Sequence, residues 1–379
     1  MPKREAGYFD RVYMKSLENY WIADIENTDT PFLAVYPDIV NRNIQRLISL
    51  FPGKSQIRPH VKTHKCPQVV ALLLEAGITK FKCATIAEAE MLASAGARDI
   101  LLAYQPVGPK INRFIQLMIT FPDCDFSCFV DNEISARQIA DQALKAQITV
   151  CLWIDLNVGM NRTGIKPGHD AKKLVEFCSD LPAVKVIGLH AYDGNITDPD
   201  EGIRLAQAQK GFLEVSSLAE KLTDLGYTDL RIAAGSTPTI SFYARQSQVE
   251  CSPGTFIYWD QHYQELFPEL GFQNAALVIS RVISKPDTET VCLDLGYKAI
   301  SSESPADQRV EMPQYPHGKV LSQSEEHLLV HVGPVQPQIG EVVYGFPFHI
   351  GRTCNLYEDC AVVEEHQITK KWLHTARKR

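Results

Sequence analysis

The nonapeptide IRPHVKTHK at residues 57–65 sets Arg58, His60, Lys62, His64 and Lys65 around one proline at the end of a β-like run. A lysine among other cations gives up its proton more readily than a solvated one, and the neutral amine is the form that condenses with a carbonyl. Lys62 is therefore a candidate Schiff-base nucleophile. On a strand, Arg58, His60 and Lys62 share one face by period-two alternation, and charges facing a core are costly unless they serve a site. Three further stretches carry chemistry. LNVGMNRTGI holds Arg162 between Gly159 and Gly164, GLHAYDGN puts His190 and Tyr192 on one face, and AAGSTPT is a turn of hydroxyls and free N–H groups. Taken singly, each has a plainer reading: a solvated lysine, a surface arginine, a satisfied core histidine, an ordinary turn.

What joins them is the pattern of elements. Eight β-branched or aromatic runs lie at 31–36, 56–62, 80–85, 99–104, 125–130, 149–156, 184–192 and 229–235, and helical stretches alternate with them. The helix punctuation is readable. Pro67 stands where a first helical turn tolerates proline, and Gly77 where a helix ends. Thr85 and Glu88 form a capping box that opens a helix closing at Gly96, and residues 201–226 make the longest helix. Eight strand–helix units predict a (β/α)8 barrel over 31–250; a doubly wound sheet is the alternative, but no GxGxxG follows the first strand. After residue 250, runs at 275–285, 290–301, 328–333, 341–350 and 360–373 lack crossover helices. They predict a mainly antiparallel β domain over 251–379, which the first 30 residues join.

Barrel enzymes keep their reacting groups at the C-terminal ends of the strands, and the four stretches fall at such ends. The turn after the last strand is where barrels bind phosphate, and a lysine lies across the mouth from it. Pyridoxal 5'-phosphate meets both demands, with an aldehyde for the lysine and a phosphate for the turn.

Bulk properties narrow the class. The 379 residues are 45% hydrophobic and 22% charged, with formal net charge −7, and no basic stripe with interleaved aromatics argues for nucleic acid. No apolar run reaches the ~18 residues of a membrane helix. The basic start MPKREAGYFD is followed by no apolar h-region, so no signal peptide is expected. Ten cysteines occur singly with no CxxC pair and read as reduced thiols of a cytoplasmic protein.

With these residues in view, the chain resembles fold-type III pyridoxal-phosphate enzymes of the alanine-racemase barrel class, and more narrowly the D-threonine aldolase and D-serine dehydratase family. The likeness runs through RPHVKTHK, VGMNRTG, GLHAYDGN, GSTPT, SPGTFIYWD, VISKP, LDLGYKAISSE and GFPFHIGRTCNLY. It implies that Lys62 holds the cofactor and moves protons at Cα, that Arg162 faces the pyridine nitrogen, and that Tyr192 orients the cofactor or acts as acid–base group. Gly235, Ser236, Thr237, Gly254 and Thr255 would hold the phosphate. A homodimer acting on a small amino acid is also implied.

One departure bears on the reaction. The family places a divalent metal, Mn or Zn, on His-x-Cys or His-x-Asp of a β-domain strand. Here His349 is followed at that spacing by Gly351, while Thr353 and Asn355 match. Cys354 points to the other face if the strand continues, and Asp359 or Cys360 would have to reach through a turn. Retro-aldol cleavage needs only a base for the hydroxyl proton, and His349 could serve; dehydration must expel hydroxide, which is harder without a Lewis acid. The expectation is a lyase on D-3-hydroxy amino acids of the D-threonine aldolase kind. A D-serine dehydratase-like ammonia-lyase, a racemase and a non-catalytic pyridoxal-phosphate carrier are the alternatives.

Overall fold

The computed structural model describes residues 17–379. It comprises two compact units: residues 17–43 with Ile257–His374, and Ile44–Phe256 with Thr375–Arg379.

The first strand, β1 (Phe32–Val35), corrects the strand assignment made from sequence. It lies in the β unit, antiparallel to β9 (Ala276–Ser284) and parallel to β15 (Asp359–Glu364). The barrel unit instead contains seven parallel strands in sequential order: β2 (Lys80–Cys83), β3 (Asp99–Leu102), β4 (Asp125–Val130), β5 (Val150–Leu156), β6 (Val184–Ala191), β7 (Arg231–Ala234) and β8 (Val249–Cys251). The eighth stave is the segment 57–60. Ile57 bridges Cys251 and His60 bridges Lys82, with Arg58 N donating to Cys251 O at 2.9 Å and Lys82 N to Pro59 O at 2.9 Å. Pro59 has no N–H, so this stave pairs through single bridges and not a continuous ladder. The count of eight therefore stands with one member exchanged: residues 31–36 leave and the three-residue β8 enters. A tripeptide of sequence VEC has too few residues to show a period.

The helices begin where their caps predict. Thr85 Oγ1 accepts from Glu88 N at 3.1 Å, while Glu88 reaches back to Ala84 N at 2.6 Å. Asn132 and Asp200 cap the helices Glu133–Lys145 and Glu201–Asp224, the second being 24 residues long. Inside the barrel, Leu101, Phe129, Trp153 and Ala233 form a buried cluster. Trp153 is accommodated by Gly188 on the next strand, where a Cβ would lie 2.5 Å from the indole.

Beneath this cluster lies a buried ionic network. Arg58 is fully buried; it donates to Asp99 at 2.8 and 3.0 Å and to Glu250 at 2.7 Å, and its guanidinium stands 5.7 Å from the Trp153 ring centre. Arg231 meets Asp99 at 3.1 Å, and Lys80 meets Glu250 at 2.5 Å. Asp99, Lys80 and Arg231 each open their strands, so the network closes the N-terminal end of the barrel.

The β unit carries a nine-stranded sheet whose main path runs β12 (Lys319–Gln323), β13 (Leu328–His331), β10 (Thr290–Leu293), β9, β1, β15, β16 (Gln367–Leu373). β14 (Val342–Pro347) pairs with both β9 and β11 (Val310–Glu311). Only the first four residues of the run 290–301 are strand, and 360–373 is a hairpin and not one strand. Its turn uses Glu365 and His366 at φ 48° and 65°, residue types that do not advertise a left-handed turn as Asn-Gly does. Residues 17–30 join this unit: Ala23 N donates to His366 O, and Arg281 donates to Ile25 O and Thr28 O. Residues 1–16 of the expected N-terminal segment lie outside the described residues. None of the ten cysteines is bridged in a disulfide among the described residues, and nine of them are buried. No helix among the described residues is long and apolar enough to cross a membrane.

Candidate active site

The chain does not continue as a strand through Lys62. After the bridge at His60 it tightens into a 3-10 turn, Val61–Thr63, which the His60 side chain caps by accepting Lys62 N at 3.2 Å. The alternation expected for Arg58, His60 and Lys62 is therefore broken. Arg58 goes to the floor network, and Lys62 turns into a cavity of about 320 Å³ within the barrel unit. Lys82, Asp155, Arg162, His190 and Tyr192 line the same cavity.

The Lys62 side chain reaches solvent, yet the protein packed round the cavity desolvates its ammonium and lowers it from its ordinary value, the Arg162 guanidinium lowers it further, and Glu88 opposes them. Of its neighbours in sequence, His60 is itself depressed by burial and then by Lys62 and Lys82. Three cations surround one aromatic ring, with Lys62, Lys82 and Arg162 at 5.8, 5.6 and 5.3 Å from the Tyr192 centroid. Burial and Asp193 raise the Tyr192 phenol, against Arg162, so it stays protonated. Gly194 makes room for it, since a Cβ there would collide with the Tyr192 hydroxyl.

Two polar groups, Lys82 and Asp155, the partners of His190, are not singled out by the sequence pattern. Lys82 Nζ lies 3.3 Å from His190 Nε2, His190 Nδ1 lies 2.8 Å from Asp155 Oδ1, and Thr163 and Gln105 donate to Asp155 Oδ2 at 2.9 and 3.0 Å. Burial and then the charge of Lys82 depress His190 to about 4, so it is neutral at physiological pH. A signal for Lys82 is present: it alternates with Phe81 and Cys83 on a strand whose flanking residues are buried.

The expected phosphate residues form a second cluster. Gly235 has φ +85°, and the Tyr243 ring comes within 2.5 Å of where its Cβ would be, so glycine is required on both counts. Ser236 N donates to Thr239 Oγ1 at 3.0 Å, and Thr239 donates to Asp193 at 3.1 Å. Gly254 N donates to Thr237 Oγ1 at 3.1 Å, which ties together the turns after β7 and β8. Thr255 opens the 3-10 turn that follows. His60, which lines the cavity, backs Gly254, its Cβ lying 3.4 Å from where a methyl group on that glycine would be. Ser252, 3% exposed beside these turns, has a hydroxyl with no hydrogen-bond partner. A deprotonatable lysine in the cavity and an orphaned hydroxyl between two glycine turns fit pyridoxal 5'-phosphate, which needs an amine at one end and anion donors at the other.

His349 belongs to the β unit. The strand ends at Pro347, and His349 caps a short helix, Ile350–Cys354, by accepting Arg352 N at 3.4 Å. Gly351 and Cys354 are therefore helical, and the strand-face argument about Cys354 does not apply. Among the described residues no three or more His, Cys, Asp or Glu side chains group to hold a metal ion.

Comparison with known proteins follows the same division. The model described as "Alanine racemase, N-terminal domain" matches residues 35–262, and that described as "Putative serine dehydratase domain" matches 275–363. A D-threonine aldolase from Arthrobacter sp. is 28% identical over 328 residues, covering 85% of each chain. D-threo-3-hydroxyaspartate dehydratase from Delftia sp. is 26% identical over 292 residues, covering 73% of each. The solved structure of D-threonine aldolase from Filomicrobium marinum superposes with a TM-score of 0.85 at 25% identity, covering 93% of this chain and 96% of that one. The parallel barrel, the second β unit and the matched residues agree: the chain belongs to the alanine racemase N-terminal domain family, whose cofactor is pyridoxal phosphate.

Proposed function

We propose that this protein is a pyridoxal-phosphate-dependent lyase that cleaves D-3-hydroxy amino acids such as D-threonine to glycine and an aldehyde. The observation that carries the reading is Lys62, a solvent-accessible amine of lowered proton affinity that lines the barrel cavity beside Arg162 and Tyr192. The likeness to D-threonine aldolase over 85% of the chain supports the choice of reaction.

In this reading Lys62 would hold the cofactor through its aldehyde and would hold or return the proton at Cα. Arg162 and Tyr192 would hold the ring. Gly235, Ser236, Thr237, Gly254 and Thr255 would hold the phosphate through N–H and hydroxyl groups. A bound cofactor would supply an electron sink for the carbanion at Cα. The place of His349 in the reaction rests on the family resemblance. In this reading the enzyme works as a cytoplasmic homodimer, and nine buried cysteines outside any disulfide favour a reducing compartment.

Product analysis tests the reading. The cofactor-loaded protein is incubated with D-threonine, once with a chelator and once with added manganese, and amino acids, aldehydes and keto acids are resolved. Glycine with acetaldehyde is the expected result. 2-Oxobutyrate with ammonia would replace the aldolase reading by a dehydratase, and epimerised threonine by a racemase. An unchanged cofactor spectrum with every D-amino acid would leave a carrier.

A further inference from the structure

A retro-aldol cleavage moves two protons, one on the β-hydroxyl and one on Cα. Lys62 accounts for the second. The barrel wall offers a separate group for the first. Lys82, on β2, is 2% exposed and lines the same cavity. The order of its hydrogen bonds gives it a direction. Asp155 can only accept, so His190 Nδ1 carries the imidazole proton, and Nε2 turns a lone pair toward Lys82 Nζ at 3.3 Å. Thr163 and Gln105 fix the carboxylate, and the Phe129 ring lies 4.1 Å from the imidazole. A lysine placed only to complete a buried ion pair would meet a carboxylate directly. This one meets a neutral imidazole, with the amine of Lys62 as a like charge in the same cavity.

We propose that Lys82, oriented by His190 and Asp155, is a second acid–base residue of the cavity and takes the proton of the substrate's β-hydroxyl during cleavage. This rests on the lyase reading above. The step balances without a co-reactant. The hydroxyl proton passes to the Lys82 amine, the Cβ–O bond becomes a carbonyl, and the Cα–Cβ bond breaks with its electron pair left at Cα. Cα then takes up a proton, and glycine and aldehyde result. The groups facing Lys82 decide when it is an amine. Burial and then Lys62 lower its ammonium to about 7, while Cys251, Asp155 and Asp193 oppose; His60, His190, Tyr192 and Arg162 complete its surroundings. Cleavage should therefore rise with pH through this range, as the free amine appears.

The test compares two reactions of the holoenzyme, cleavage of D-threonine and exchange of glycine's α-hydrogen with deuterium oxide, which involves no hydroxyl. Lys82→Met should lower cleavage about a hundredfold, within the usual range for a general base, and at least tenfold more than it lowers exchange. Lys82→Arg, which keeps the charge but is no base, should behave alike. Both should keep the cofactor's visible absorbance and lose the rise of kcat near pH 7, whereas His349→Ala should retain that rise. If cleavage and exchange fall together, or the rise persists in both Lys82 variants, Lys82 has no separate proton to move and the proposal fails. A wild-type protein that exchanges glycine but cleaves no D-3-hydroxy amino acid would refute the lyase reading and this inference with it. The wild-type result thus separates the two failures.

Discussion

Replacing Asp99 by alanine should cost the barrel about 3 kcal/mol. The carboxylate receives two hydrogen bonds from Arg58, at 2.8 and 3.0 Å, and one from Arg231 at 3.1 Å. Without it, the fully buried Arg58 retains only Glu250 at 2.7 Å and the Phe81 carbonyl at 3.2 Å. Three cations, Arg58, Arg231 and Lys80, would then share one anion, Glu250. Removing one partner of a buried ion pair costs about 3–5 kcal/mol. The 21% exposure of the Asp99 side chain lets water replace part of what is lost, which places the effect near the lower end. For a unit of this size that is a fall in Tm of roughly 6–12 °C. Circular dichroism follows the unfolding, and Trp153 fluorescence reports on the floor beneath the cation pair. Adding Arg58→Met should recover part of the loss, because a buried pair replaced whole by apolar groups leaves no charge unpaired. Burial pushes the Asp99 carboxyl up, but Arg58 and Arg231 outweigh it and hold it below the usual aspartate value. Its stabilisation is thus present above an unfolded value of about 4 and is lost as pH falls through the folded one. A loss under about 1 kcal/mol, or a double variant worse than the sum of the singles, would refute this account of the floor.

Other perturbations separate the site's parts. Lys62→Ala should abolish the borohydride-reducible link to pyridoxal phosphate, read by mass after reduction; a retained link would move the nucleophile to Lys82. Gly194→Ala should displace the Tyr192 ring from among its three cations and weaken cofactor binding about tenfold, measured by spectral titration, since overpacking costs about 1–3 kcal/mol. In the β unit, burial lifts Asp260 to about 7 against the N–H groups of Tyr263 and Ile350, so its ionisation destabilises the fold as pH rises from about 4 to 7. Asp260→Asn keeps an acceptor without the charge and should flatten urea-denaturation stability across that window; an unchanged slope would show that Asp260 does not titrate there.

Much of the site is legible from residue type and local order. Lys62, Arg162, Tyr192 and the two glycine turns stand at strand ends, and a barrel brings such ends together whatever lies between them. Helix starts are legible for the same local reason, since Thr85, Asn132 and Asp200 cap helices through contacts three residues away. Long-range pairing is not. Phe32–Val35 reads as a buried parallel strand in any sheet, and only its partners β9 and β15 decide that it leaves the barrel. Arg58, His60 and Lys62 alternate on paper, but Pro59 and the 3-10 turn send Arg58 to the floor while His60 and Lys62 line the cavity.

The sequence by itself determined the family and the barrel with a second β unit, and it placed Lys62 and the glycine turns at strand ends, because these are written in types and short spacings. Tertiary structure alone decided which strands close the barrel and which charges lower Lys62. It also brought Lys82, His190 and Asp155 into one row. That row depends on contacts between residues 35 and 108 positions apart, and the bridge from Ile57 to Cys251 that closes the barrel on a separation greater still, at distances where a hydrogen bond or a Coulomb interaction is decided within an ångström and sequence carries no measure of separation.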